Sequence, residues 1–177
     1  MWIRARVASA RAAGTDAMAD QYPYAASYTG ITILIPAWAM EGGTEEFLAR
    51  VDDPATHDLI MEGIEFNIVN DRGANDISRV QLALVDWDRS LEGQTLADWA
   101  RRKGLPPTPA VGAELVVEAG RNGGASAIYH AMDDADVERI MAHPQTMIAS
   151  DGRLTAPGIG HPHPRWYGTF PRVLGLF

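Results

Sequence analysis

A chain of 177 residues, 46% hydrophobic and 21% charged, is long enough for one domain with a real core and too short for two comfortable ones, and neither a disordered nor a membrane class fits. Its 23 acidic residues against 15 basic ones leave a net charge of -8, the wrong sign for a phosphate-binding surface, so no nucleic-acid partner is expected. Cysteine is absent, which excludes a disulfide framework and suits a reducing cytoplasm. The longest apolar run, residues 31–40, is interrupted by Pro36 and falls short of a membrane span.

The chain opens on arginines spaced through alanines, read as a helix end with Ile3 and Val7 facing a core and Gly14 as its stop. A strand follows over residues 17–22, ending where Tyr22 and Tyr24 bracket Pro23. Their phenols suit either ligand contact or amphipathic packing, and both readings stand. Residues 31–43 form a lid or wall segment rather than a regular strand. Thr44 reads as an N-cap with Glu45 and Glu46 in the first turn, and Pro54 as the start of a second helix carrying Leu59, Ile60, Ile64 and Ile68. His57 on that helix is a solvated surface residue.

Residues 77–85 are apolar and rich in β-branched members, as a strand requires, with Ser78 and Arg79 at its entry. Thr95 caps a helix that Gly104 ends, and another helix spans residues 109–119. Residues 125–131 read as a strand, Asp133 or Asp134 caps a helix through Val137, Ile140 and Met141, and Pro144 stops it before a buried strand over residues 146–149. Strand, short helix and parallel strand make a βαβ unit of an α/β protein. Function in such folds gathers at the C-terminal strand ends, which should bring Tyr129, His130, Met132 and Asp151 near one another. His130 is read as packed and hydrogen-bonded.

The chemistry concentrates in residues 146–175. Asp151, before the flexible Gly152, offers a carboxylate for proton transfer or metal binding, and ten residues on come His161, His163 and Arg165. A self-contained metal site of Asp151, His161 and His163 is the least favoured arrangement, since a His-x-His beside prolines is often merely exposed. No phosphate-cradling glycine loop and no GxSxG elbow occurs, so nucleotide binding and serine-hydrolase chemistry have little support.

Five stretches, ADQYPYAASYTG (19–30), PAWAMEGG (36–43), NDISRVQLA (75–83), IYHAMDDADVERIMAHPQTMIASDG (128–152) and HPRWYGTFPRVLG (163–175), closely resemble the N-acyl-D-amino-acid deacylases, or D-aminoacylases, of the amidohydrolase superfamily. The resemblance implies a metal-dependent hydrolase that releases a D-amino acid and a carboxylate from a small-molecule N-acyl-D-amino acid. It implies an α/β fold forming part of a TIM-like (β/α) barrel, the last strands plus an inserted helical lid, in one domain over residues 1–177. Asp151 takes the family's general base and acid role beside the metal and is the chain's one expected metal contact, with Zn2+ the expected cofactor. Arg165 would grip the substrate α-carboxylate and Ser78 would add a second contact, while Tyr129 and Met132 would line the side-chain pocket. The family's His-x-His strand, its cysteine and its further metal-binding histidines have no counterpart here, nor has its C-terminal β-domain. A complete barrel takes about 250 residues and eight strands. The isolated chain is therefore expected to be marginally stable and to self-associate or join a separately encoded N-terminal half. The alternative is a non-catalytic remnant.

Overall fold

The computed structural model describes residues 2–73 and 75–177, without the side chains of residues 2–4. The inward face expected of Ile3 therefore lies outside the described residues, while Val7 is half-buried. The backbone forms two compact units: residues 1–25, 132–155 and 164–177 make the first, and residues 26–131 with 156–163 the second.

The second unit is built around a central helix. Its three-stranded antiparallel sheet has the order β2-β4-β3, from β2 (Ser27–Gly30), β4 (Ser126–Tyr129) and β3 (Val80–Leu84). Pairing sets Tyr28 against Ile128 and Gln81 against Ile128, with a register shift between Leu82 and Leu84. Helices α2 (Thr44–Asp52), α3 (His57–Asn67), α4 (Leu96–Arg102) and α5 (Pro109–Arg121) complete it. The Thr108 hydroxyl accepts from the Val111 amide at the start of α5, and Pro109 takes the first helical position. Val111, Leu115, Val116 and Ala119 are all buried, a nearly all-round apolar surface that only an enclosed helix tolerates. Each large apolar side chain buried there contributes about 1.5–3 kcal/mol.

The first unit holds α1 (Trp2–Ala12), β1 (Ala19–Gln21), α6 (Asp134–Met141), β5 (Thr146–Ile148) and α7 (Arg165–Leu176). Strands β1 and β5 pair in parallel, Ala19 against Thr146 and Gln21 against Ile148. The Gln21 side chain adds a bond to the Val137 carbonyl of α6 at 2.9 Å.

Of the expected partial barrel, the structure shows a mixture of helices and strands, and the described strands do not close a barrel. Both edges of β4 are occupied by antiparallel partners, so β5 cannot lie beside it and pairs with β1 instead. The β4–α6–β5 stretch is therefore no βαβ unit, and Tyr129 and Asp151 do not end neighbouring strands. Nor is β5 a buried strand. In a two-stranded sheet one face stays open, and Met147 is half exposed. Two helix starts also differ. Gly43, not Thr44, holds the cap position of α2. Asp53 accepts from the Ala55 amide at 2.9 Å, making a turn around Pro54 that delays α3 to His57. The wall segment consists of two 3-10 turns, Ile31–Leu34 and Ala37–Met40.

Candidate active site

Because β1 and β5 run in parallel and in register, their C-terminal ends open at the same edge. Tyr22 to Tyr24 leave one strand there, and Ser150 to Gly152 leave the other. The Ala149 amide extends the ladder to the Gln21 carbonyl at 3.1 Å. Asp151 then adopts a φ of 45°, one of two non-glycine residues with positive φ among those described. Few side chains take this conformation, and aspartate is among those that tolerate it.

The third component is the start of α7. Arg165 is its first residue, where a cation opposes the helix dipole. The opposition is offset locally: Arg165 Nη2 donates to Asp151 Oδ2 at 2.7 Å, and the guanidinium lies over the Tyr22 ring at 4.6 Å. The pair is asymmetric. The Arg165 side chain is 6% exposed and that of Asp151 70%, so a largely desolvated cation faces an anion open to solvent. Thr169 Oγ1 donates to the Arg165 carbonyl at 2.9 Å, fixing the first turn.

A second set of contacts holds α7 against the tyrosine loop. Arg172 Nε donates to the Pro23 carbonyl at 2.7 Å, and its guanidinium lies 5.1 Å from the Tyr24 ring centre. Tyr24 donates to the Pro164 carbonyl at 3.4 Å. Burial raises the Tyr24 phenol above its ordinary pKa, against the pull of Arg172. The close approach needs Gly168, because a Cβ there would stand 2.5 Å from the Tyr24 hydroxyl.

The other predicted site residues have contacts of their own. Ser78 sits in the 3-10 turn Ile77–Arg79, its amide bonded to Asp76 Oδ1 at 2.8 Å, and its hydroxyl helps hold the Asp76 carboxyl below the usual range. Tyr129 is fully buried, with its hydroxyl donating to the Gly30 carbonyl at 3.2 Å, and burial pushes its pKa up. No face of that ring is open to a ligand. Met132 is exposed in the first unit, its amide on the Ala25 carbonyl. His130 is bonded to Gln81, and buried His163 places Nε2 2.9 Å from the Ala26 carbonyl. Sequence reasoning overlooked Thr169 and Arg172; Pro164 just before Arg165 was the available sign that a helix begins there.

The described residues do not fit a metal ion. No three histidine or acidic side chains among them gather as a ligand set, and the Asp151 carboxylate is engaged by Arg165. None of the described helices is long and apolar enough to cross a membrane.

No family model matches the chain. Individual proteins do. An N-acyl-D-glutamate deacylase of Alcaligenes xylosoxydans xylosoxydans is 33% identical over 98% of this chain and 25% of its own length. A D-aminoacylase of the same organism is 40% identical over 49% of this chain and 19% of its own length. Among solved structures, the N-acyl-D-glutamate deacylase of Bordetella bronchiseptica, complexed with zinc and a phosphonate mimic of its tetrahedral intermediate, superposes with a TM-score of 0.60 and 29% identity, covering 97% of this chain and 26% of that one. A D-aminoacylase described as defining a novel subset of amidohydrolases gives 0.55 and 28%, over 97% of this chain and 26% of its own. The chain spans about a fifth to a quarter of the length of these relatives. In sequence and backbone alike, it is similar to part of the N-acyl-D-amino-acid deacylases, a group of hydrolases.

Proposed function

We propose that this chain supplies the substrate anchor and the proton-transfer carboxylate of an N-acyl-D-amino-acid deacylase. The observation that carries this reading is the Arg165–Asp151 pair, a buried cation at the open edge of a parallel strand pair held against an exposed carboxylate. A guanidinium is suited to a carboxylate by charge and by its planar fork of donors. The α-carboxylate of an N-acyl-D-amino acid would compete with Asp151 for Arg165. Binding would thereby release Asp151 next to the scissile amide, free to take a proton from the attacking water and pass it to the leaving amine. Substrate arrival and base release become one event. Met132, exposed and in the same unit as Arg165, remains proposed as a secondary contact.

A zinc ion, where bound, lowers the pKa of its water and polarises a carbonyl. The described residues offer no three-ligand cluster for one, which favours a second reading: hydrolysis needs metal-binding residues beyond those described. An assay with N-acetyl-D-glutamate and N-acetyl-D-methionine, with and without added Zn2+, tests both. The expected result is ligand binding without turnover in either condition. Turnover on zinc addition would overturn the need for further metal-binding residues, and absence of binding would overturn the anchor.

A further inference from the structure

A second cluster of titratable groups lies in the residue 26–131 and 156–163 unit. Gln81 of β3 stands between two imidazoles. Its Oε1 is 3.1 Å from His130 Nε2, and its Nε2 is 2.8 Å from the Gly93 carbonyl and 3.4 Å from His161 Nε2. His130 itself is fixed by backbone: its amide donates to the Arg79 carbonyl at 2.9 Å, and Arg79 Nη1 returns a bond to the His130 carbonyl at 3.1 Å. His161 donates its amide to the Ala83 carbonyl at 2.6 Å. The preceding Gly160 lies so close that a Cβ would stand 2.7 Å from that same oxygen.

Donor and acceptor bookkeeping decides the protonation of this cluster. A carbonyl accepts only, so Gly93 forces the N–H2 end of the Gln81 amide toward itself. The Gln81 oxygen then faces His130 Nε2, which must carry a proton. The remaining Gln81 N–H faces His161 Nε2 at 3.4 Å, a contact that is a hydrogen bond only when that nitrogen offers a lone pair. His130 donates from Nε2 in both of its protonation states, whereas a proton on His161 Nε2 sets N–H against N–H. Flipping the amide offers no escape, since Oε1 would then face the Gly93 oxygen.

We propose that Gln81 is a proton-sensitive latch, holding residues 156–163 in place through neutral His161 and releasing them when that imidazole takes up a proton. The charged and titratable groups around it are few. Arg79 and His161 lower the pKa of His130, after burial as the main cause. Glu92, beside Gly93, has its carboxylate turned to the Val85 amide at 3.2 Å. His163, two residues beyond His161, is engaged with Ala26. All other things equal, acidification adds a positive charge near Arg79 and His130, which favours release. The released residues belong to the connection between Asp151 and Arg165, so acid would loosen the tether joining the two groups of the candidate site.

The test is amide hydrogen exchange of the His161 N–H in the full chain, read as a protection factor at about pH 7.5 and about pH 5.5. We expect protection to fall about fivefold on acidification, the size of one modest hydrogen bond. His161→Gln retains an acceptor for Gln81 and does not titrate, so its protection should not fall. No loss in the wild type, or an equal loss in the variant, overturns the latch. Nitrogen-15 shifts at the higher pH give an independent reading. Nδ1–H on His161 with Nε2–H on His130 supports it, and Nε2–H on His161 overturns it.

Discussion

Replacing Gly168 with alanine pits two effects of known sign against each other. In a helix interior alanine is favoured over glycine by about 1 kcal/mol. Against that, the new Cβ would meet the Tyr24 hydroxyl at 2.5 Å, with the next atom, the ring Cζ, at 3.8 Å. Tyr24 cannot retreat freely, because it donates to the Pro164 carbonyl and lies under Arg172. Overpacking of this kind costs about 1–3 kcal/mol, so the clash should win and Gly168→Ala should destabilise by about 1 kcal/mol net. Only one oxygen atom causes the clash. In a Tyr24→Phe background the contact at 2.5 Å disappears and the one at 3.8 Å is ordinary, so the same Gly168→Ala change should stabilise by up to about 1 kcal/mol. The double-mutant cycle, measured by urea unfolding, should give a coupling of about 1–3 kcal/mol. Gly175→Ala on the same helix, where no atom lies within 4 Å, controls for propensity. A coupling below about 0.5 kcal/mol would refute the packing of α7 on the tyrosine loop.

Thr95→Ala should cost about 1 kcal/mol by removing the cap of α4, where Thr95 and Asp98 bond reciprocally. The Asp98 carboxyl lies below its ordinary pKa of 3.8, chiefly through the Thr95 hydroxyl; its contribution is complete above that value and is lost as pH falls through the lowered one. The variant should therefore show a shallower stability loss below about pH 4, read from urea midpoints against pH. Tyr129→Phe should cost about 1 kcal/mol, because it removes a part-buried hydrogen bond; an unchanged thermal midpoint would contradict the assigned bond. Elemental analysis after dialysis against zinc should find no stoichiometric metal on this chain, and one zinc per chain would overturn the metal-poor reading of the described residues.

Local chemistry was the legible part of this sequence. Thr95 and Asp133 cap helices as their side chains allow, because a cap and its amide lie within three residues of each other. Gly14 and Gly104 end helices with φ values of 88° and 74°. Strand pairing was not legible. β1 and β5 are separated by more than half the chain, and a run of three residues carries no periodicity to say which strand it joins. The same limit governed the site. Asp151 and Arg165 announced themselves as residue types beside glycine and proline, whereas their pairing depends on where α7 begins and on the positive φ of Asp151. Tyr129 shows the converse: an aromatic at a strand end reads as a pocket wall, but β4 is central in its sheet and the ring is fully buried. Gln81 gave no signal, because an amide in a strand becomes a network only when two distant histidines arrive beside it.

The competition between Asp151 and a substrate carboxylate for Arg165 is tested most directly by calorimetric titration with N-acetyl-D-glutamate. Arg165→Met should abolish binding. Asp151→Asn should bind more tightly than the wild type, by about twofold to fivefold, the worth of a half-exposed ion pair that no longer competes. Unchanged binding in Arg165→Met, or weaker binding in Asp151→Asn, would contradict the proposed role.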